Sequence, residues 1–453
     1  MSLLLALVLA SQVGPSNELA RVAEALAAET IARDGVPGIQ LAVVRDGEEF
    51  LVLARGVADD AHGTPVTADT RFVLGSAARI VTSAAVLQLV DAGEFALDAD
   101  VATLVDGLPK LAQPVALERV LDGTSGIAPW ARVFAAAKRE PRAGLAKDDV
   151  LTLFAAAPFD SAPGERYAPN SAAWALLPLV LERAWGESFV RGAPARLFAP
   201  FGFEHAGFVS GEVPLSGLAR DCAAVAEAHD AEVLLALDRG WVAPMFACDA
   251  RELARFVDAV GTGRVLSAKT AERMFSSART GDGKPTGHGV GFDLDRVAGH
   301  PRAGHSGGLG GTRVRVAWYG EDRLAVVVFA NCAGADVERL EEEVARYVLG
   351  VGFERVVEVP VGEAEVKRFG GVYQIATERV RVFERGGRLV WQTADREREL
   401  KWQGRGGFVD AAEVGFGVRF ELGGEVSQGV EVTRAGGVVK GVRVASVGSV
   451  NGG

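Results

Sequence analysis

Ser76 and Arg79 stand three residues apart in the apolar run between Asp69 and Asp98. A helix turns once every 3.6 residues, so positions three apart share a face and the later side chain can reach the earlier hydroxyl. An alcohol becomes a nucleophile when a neighbour takes its proton. A guanidinium keeps its own proton in a protein, so Arg79 brings positive charge and hydrogen-bond donors but no base. The chain has 8 lysines against 40 arginines, which makes arginine the default at any indifferent basic position. Two readings of Arg79 follow: the site has ceased to need a base, or the guanidinium binds an anionic group such as a substrate carboxylate. Ser76 itself has a plainer reading as a helix N-cap. Further along, Gly304-His305-Ser306-Gly307-Gly308 sets a histidine among glycines, as needed where backbone must approach a ligand. The plainer reading there is a structural histidine between strands.

The elements that must hold these residues can be read from the apolar pattern. Leu19, Val22, Ala23 and Leu26 recur at helical spacing before Gly35-Val36-Pro37-Gly38 breaks the run. Two strands follow, residues 39–44 and 50–54, around the hairpin signal Asp46-Gly47. A helix beginning near Ser76 buries Ile80, Ala84, Leu87 and Val90, and Gly93 is placed to cap it. Residues 100–280 are mostly helical in pattern, and strands return at 312–318 and 324–330. Strands at both ends with helices between predict an α+β fold: one antiparallel sheet flanked by helices, with a helical subdomain inserted. After a linker at 351–365 the period changes to two. Val380/Val382, Leu389/Trp391, Val418/Phe420, Val430/Val432 and Val442/Val444 alternate with polar residues, so 366–453 reads as a small antiparallel β domain.

Composition bounds the function. A chain of 453 residues with 49% apolar residues, 24% charged residues and 56 glycines is an ordinary globular protein rich in turns. Its net charge of −11, with no basic stripe, excludes nucleic acid as the expected partner. Cys222, Cys248 and Cys332 are too few and too far apart for a disulfide framework or a zinc site, and the six histidines hold no His-x-x-x-His pair. No metal or cofactor is expected. The apolar stretch Leu3–Ala10 is too short to span a bilayer and reads, with residues 1–12, as a signal peptide for export, although no Lys or Arg precedes it.

The order of several segments resembles the beta-lactamase and penicillin-binding-protein superfamily over about residues 16–350. Ser76-Ala-Ala-Arg79 is similar to its Ser-x-x-Lys, with arginine in the lysine position. Residues 121–127 resemble its Leu-Leu-x-His-Thr-Ser-Gly-Leu segment, with Gly123 in place of histidine. Residues 163–177 align with Pro-Gly-x-x-x-x-Tyr-x-Asn-x-x-Tyr-x-Leu-Leu, which puts Pro169 at the tyrosine and Ser171 at the asparagine. Gly304–Gly308 is similar to the third motif. Phe369-Gly-Gly-Val-Tyr373 resembles the opening of lipocalin-like modules appended to such hydrolases.

The resemblance implies a serine hydrolase of the class C beta-lactamase, DD-peptidase and esterase type. Ser76 would be the nucleophile, the Ser76 and Gly308 N–H groups the oxyanion donors, and His305, Ser306 and Gly307 the lining of the acyl pocket. Tyr167 or Asn170 takes the second motif's place only if the loop shifts by one or two residues. Expected substrates are a small peptide, a lactam or an ester, with no integral membrane span. With both proton-handling groups replaced, two outcomes stand open: a hydrolase with impaired acylation, or a pseudoenzyme that binds peptidoglycan-like peptides or a protein partner.

Overall fold

The computed structural model describes residues 15–445 except 140–145, 210–215, 221–245, 411–415 and positions 354, 358, 404, 423–424 and 435–436. The expected signal peptide lies outside the described residues, as does Cys222. The chain divides into two compact units, Thr30–Glu342 and the residues up to Glu29 together with those from Glu343 onward. The division falls inside the helix Val337–Leu349, earlier than the 351–365 linker.

The first unit is built on a seven-stranded antiparallel sheet. Its strands run, in spatial order, Thr64–Pro65, Glu48–Asp59, Gly38–Arg45, Leu324–Ala330, Arg313–Tyr319, His300–Gly307 and Asp293–Val297. The expected hairpin forms through a two-residue turn in which Asp46 and Gly47 both have positive φ, 54° and 81°, the conformation that matches strand twist. The central strands Gly38–Arg45 and Leu324–Ala330 are buried almost throughout, and the helix Ala250–Gly261 packs against both. Ala78–Asp91 is buried over most of its length against Leu176–Trp185, which covers the helix of Ser76 and Arg79 on its far side. Within the segment expected to be helical, Phe72–Val73, Phe246–Cys248 and Gly207–Phe208 form a small second sheet. Strands of two or three residues leave no period to read. Cys248 is buried with a free thiol, and Cys332 is disulfide-bonded.

In the other unit eight antiparallel strands from Gly371 to Ala445 close into a barrel. Trp391, Trp402, Tyr373, Phe408 and Phe420 are all but fully buried, so aromatic side chains fill an interior of the width eight strands enclose. The alternating pairs point inward as expected with one exception. Val442 and Val444 are exposed, at 59% and 48%. A register shift between Val372 and Tyr373 lets Gly441 face inward, where a Cβ would lie 2.4 Å from Ile375 Cγ1. A one-residue slip turns every neighbouring side chain to the opposite face.

Candidate active site

Ser76 is placed by backbone contacts that only glycine permits. The strand Phe72–Val73 ends in Leu74, and Gly75, at φ 53°, turns the chain into the helix Ala78–Asp91. Gly75 pairs with Gly308 through a single parallel bridge, and a Cβ on Gly75 would lie 2.1 Å from the Gly308 carbonyl oxygen. A Cβ on Gly307 would lie 2.3 Å from the Leu74 oxygen and 2.5 Å from the Ala77 nitrogen. Thr312 Oγ1 donates to the Val73 carbonyl at 3.1 Å and ties the same two segments together. The peptide units of Ser76 and Gly308 are thereby held side by side. Ser76 is half-buried, and the N-cap position falls on Ala77 without a side-chain cap bond. The plain reading of Ser76 as a cap is thus not what the helix shows. Among the described residues no side chain hydrogen-bonds its hydroxyl.

One helical turn on, the Arg79 guanidinium lies over the Trp174 ring, 5.1 Å from its centroid. It lines a cavity of about 20 Å³ with Asp122, Tyr167, Trp174, Asp293 and His305. Burial pushes the guanidinium below its usual pKa, while the nearby Tyr167 and Asp293 act the other way. Among the described residues no carboxylate lies within ion-pair distance of it and no acceptor hydrogen-bonds it. An adjoining hollow of about 310 Å³ shares Leu121 and Asp122 and has Arg119, Arg273, Ser276 and Ser277 on its walls.

His305 faces this cavity. Its Nδ1–H donates to the Ser306 carbonyl at 2.5 Å, which leaves Nε2 as an acceptor. Burial first, and then the positive charge of Arg79, lower its pKa to about 4, so the ring is neutral at physiological pH. Ser306 does not belong here. Successive strand residues face opposite sides, and its hydroxyl donates to Glu338 at 2.6 Å while accepting from Arg315 at 3.2 Å. The expected lining is corrected to His305 and the Gly307–Gly308 backbone.

Tyr167 enters the cavity wall in a way the alignment did not foresee. Its ring stacks on His288 with centroids 3.9 Å apart and planes 8° apart, and His288 Nδ1–H donates to Asp293 at 2.6 Å. Gly123 makes the room: a Cβ there would lie 2.8 Å from Tyr167 Cε2 and 3.1 Å from Pro169 Cβ. The phenol sits in space that a histidine at 123 would claim. Burial and the Asp293 charge push its pKa up to about 12, so Tyr167 is a donor and not a base near neutral pH. Asn170 is not a binding residue. It caps the helix Ser171–Trp174, accepting from Ala173 N at 3.1 Å and donating to the Ile127 carbonyl at 2.8 Å. An Asn before a short helix is a cap signal that was present in the sequence.

Reading by motif left out Asp122, Trp174 and Asp293 as cavity residues. Asp122 accepts from Thr124 N at 3.0 Å and Oγ1 at 2.5 Å, and its burial raises its pKa. Asp293 directly follows the Gly287–Phe292 segment, in which glycines flank His288, the one local hint that was available.

The Beta-lactamase family model matches residues 22–349, most of the chain. The chain therefore belongs to the beta-lactamase family. It is 35% identical to Esterase EstB of Burkholderia gladioli over 184 residues, 38% of this chain and 46% of that protein. It is 36% identical to Penicillin-binding protein 4 of Amycolatopsis lactamdurans over 177 residues, 37% and 43% of the two chains. A D-aminopeptidase of Brucella anthropi is 26% identical over 345 residues, 74% of this chain and 63% of the relative. The matches thus span roughly half, and at most under two thirds, of these relatives' lengths. Among solved structures, the octameric penicillin-binding protein homologue from Pyrococcus abyssi aligns with a TM-score of 0.61 at 19% identity, covering 92% of this chain and 99% of that one. The D-amino acid amidase from Ochrobactrum anthropi SV3 aligns with a TM-score of 0.61 at 20% identity, covering 74% and 99%. At these identities the likeness is one of fold.

Proposed function

We propose that this chain is a serine hydrolase that acylates Ser76 with an ester or small amide and turns over slowly. The observation that carries the reading is the packing of Gly75 and Gly307–Gly308, which sets half-buried Ser76 beside the backbone of Gly308. Amides so held are suited to receive the oxyanion that forms when Ser76 Oγ attacks a carbonyl carbon, because they need no reorganisation during the step. The relatives named as an esterase, a D-aminopeptidase and a penicillin-binding protein support an ester or amide as substrate. No helix among the described residues is long and apolar enough to cross a membrane. The Leu3–Ala10 stretch supports export.

The proton of Ser76 needs an acceptor other than residue 79. Neutral His305, with Nε2 unprotonated and its ring on the cavity that also holds Arg79, is the group we assign to it. An imidazole that has lost basicity to this degree is a poor acceptor, and poor general-base assistance typically costs on the order of 10²–10⁴ in rate.

One observation favours a second reading, a pseudoenzyme that binds peptidoglycan-like peptides or a protein partner. Among the described residues the Ser76 hydroxyl has no hydrogen-bonded base. Active-site labelling separates the two. A fluorophosphonate or an activated p-nitrophenyl ester should add one acyl or phosphonyl group to the wild type and none to Ser76→Ala, read by intact mass. Equal labelling of both, or none between pH 5 and 9, discards the hydrolase and leaves the binder.

A further inference from the structure

We propose that Arg79 makes the former base pocket into a receptor for a carboxylate, so that the preferred substrate carries an anionic group within one helical turn of the scissile carbonyl. For its substrate class this rests on the hydrolase reading above; the binding of the anion does not. Arg79 is half-buried, and a guanidinium that has lost part of its hydration without a counter-charge is a costly arrangement that a ligand's carboxylate relieves. Arg79 has only the Trp174 face beneath it and no hydrogen-bond acceptor among the described residues. The Trp174 Nε1–H is likewise buried with no acceptor among them. Tyr167 keeps its proton near neutral pH and adds an O–H donor to the same wall, with no acceptor for it among the described residues.

The groups that oppose an anion are already engaged. Asp293 is held by His288, and Asp122 by Thr124 and, at 3.3 Å, by Arg119. His305 is uncharged at neutral pH and turns its N–H to the Ser306 carbonyl. The free volume of about 20 Å³ has room for one or two waters, which suits a planar carboxylate head and excludes a larger group from this position. Ser76 lies in the turn that leads into the helix, and the Arg79 N–H donates to the Ser76 carbonyl at 3.1 Å, so a carboxylate on Arg79 sits a few bonds from a carbonyl on Ser76. Bidentate capture of a carboxylate by arginine then fixes the acyl group's orientation as well as its charge.

The test uses the full chain and sodium acetate, with acetamide as neutral isostere and sodium chloride at matched ionic strength. Acetate should raise the midpoint of thermal unfolding by about 2 °C or more, as expected of a ligand in excess over its dissociation constant, while acetamide and chloride do not. Arg79→Gln and Arg79→Met should lose this response, and Ser76→Ala should keep it. In anion-free buffer Arg79→Met should unfold at no lower temperature than the wild type, because the half-buried guanidinium has no counter-charge to lose among the described residues. If Arg79→Met is instead less stable, the guanidinium is a structural partner of Trp174 and the proposal falls; a response to acetate that survives Arg79→Met also overturns it. With p-nitrophenyl hemisuccinate and p-nitrophenyl butyrate as substrates, the ratio of kcat/KM for the anionic over the neutral ester should drop about tenfold in Arg79→Gln. A protein that answers to acetate but is never labelled at Ser76 refutes the hydrolase and keeps the anion site; the reverse refutes only the anion site.

Discussion

Two arginine sites lie on opposite faces of the strand His300–Gly307, and they are solved in opposite ways. On the face of Ser306, Glu341 is completely buried and accepts from Arg302 at 2.9 Å, from Arg315 at 3.4 Å and from the Tyr319 hydroxyl at 2.7 Å. Arg302 also holds Asp295 through two hydrogen bonds, and Ser306 joins Arg315 to Glu338. Every charge in that network meets its opposite. On the face of His305, Arg79 meets a tryptophan ring, a phenol and a neutral imidazole, with its nearest acid engaged by His288. A network closed on itself stabilises and positions. A cation left open on the cleft side is arranged for something that arrives from outside.

The contrast gives ordered expectations for stability. The largest effect is for Glu341→Gln, which leaves Arg302 and Arg315 without their shared carboxylate and should cost about 3–5 kcal/mol in urea unfolding, since an uncompensated buried charge remains. A loss below about 1 kcal/mol would show that water reaches this network and that the two faces differ less than their geometry suggests. Next, Arg79→Met in anion-free buffer should not lose stability, because its half-buried guanidinium has no partner to lose among the described residues, whereas Arg315→Met should lose about 1 kcal/mol or more. The same sign for both would erase the distinction between a paired and an open site.

The smallest effect is in the pH profile. His305 has a folded pKa of about 4 against an ordinary 6.5, so the unfolded chain binds its proton first. Its contribution to stability is complete above about pH 6.5 and is lost as the pH falls toward 4. His305→Gln should flatten that part of the profile. Labelling of Ser76, if it uses His305 as acceptor, should stay level between about pH 5 and 8, because the ring is already neutral throughout. A rise with an apparent pKa near 7 would point instead to a group outside this cavity.

Much of the frame was legible because it rests on local rules. Asp46-Gly47 specifies a two-residue turn with positive φ at both positions, and the turn formed there. Ile80, Ala84 and Leu87 at helical spacing are buried in the helix Ala78–Asp91, although the residues between them are buried as well and Val90 is only half-buried. The limits were equally physical. Strand alternation implied that Val442 and Val444 face the barrel interior, but Gly441 allowed a closer approach and the register slipped by one. The segment match set Ser306 beside His305 in the pocket, whereas the pleat sends adjacent side chains to opposite faces. Asn170 was read for chemistry and is a helix cap.

By itself the sequence determined that a serine and an arginine stand three residues apart, that the residue at 79 is no lysine to take the serine's proton, and that glycines occupy 75, 307 and 308. Spacing and side-chain chemistry suffice for those statements. Only the tertiary structure decided that Gly123 yields its volume to Tyr167, that His305 is held neutral with one nitrogen tied to its own strand, and that half-buried Arg79 has no counter-ion among the described residues. Each depends on segments far apart in the chain, Gly123 against Tyr167, Arg79 against Trp174 and His305. Burial and charge pairing are properties of what surrounds a residue, and the chain's linear order does not specify its surroundings.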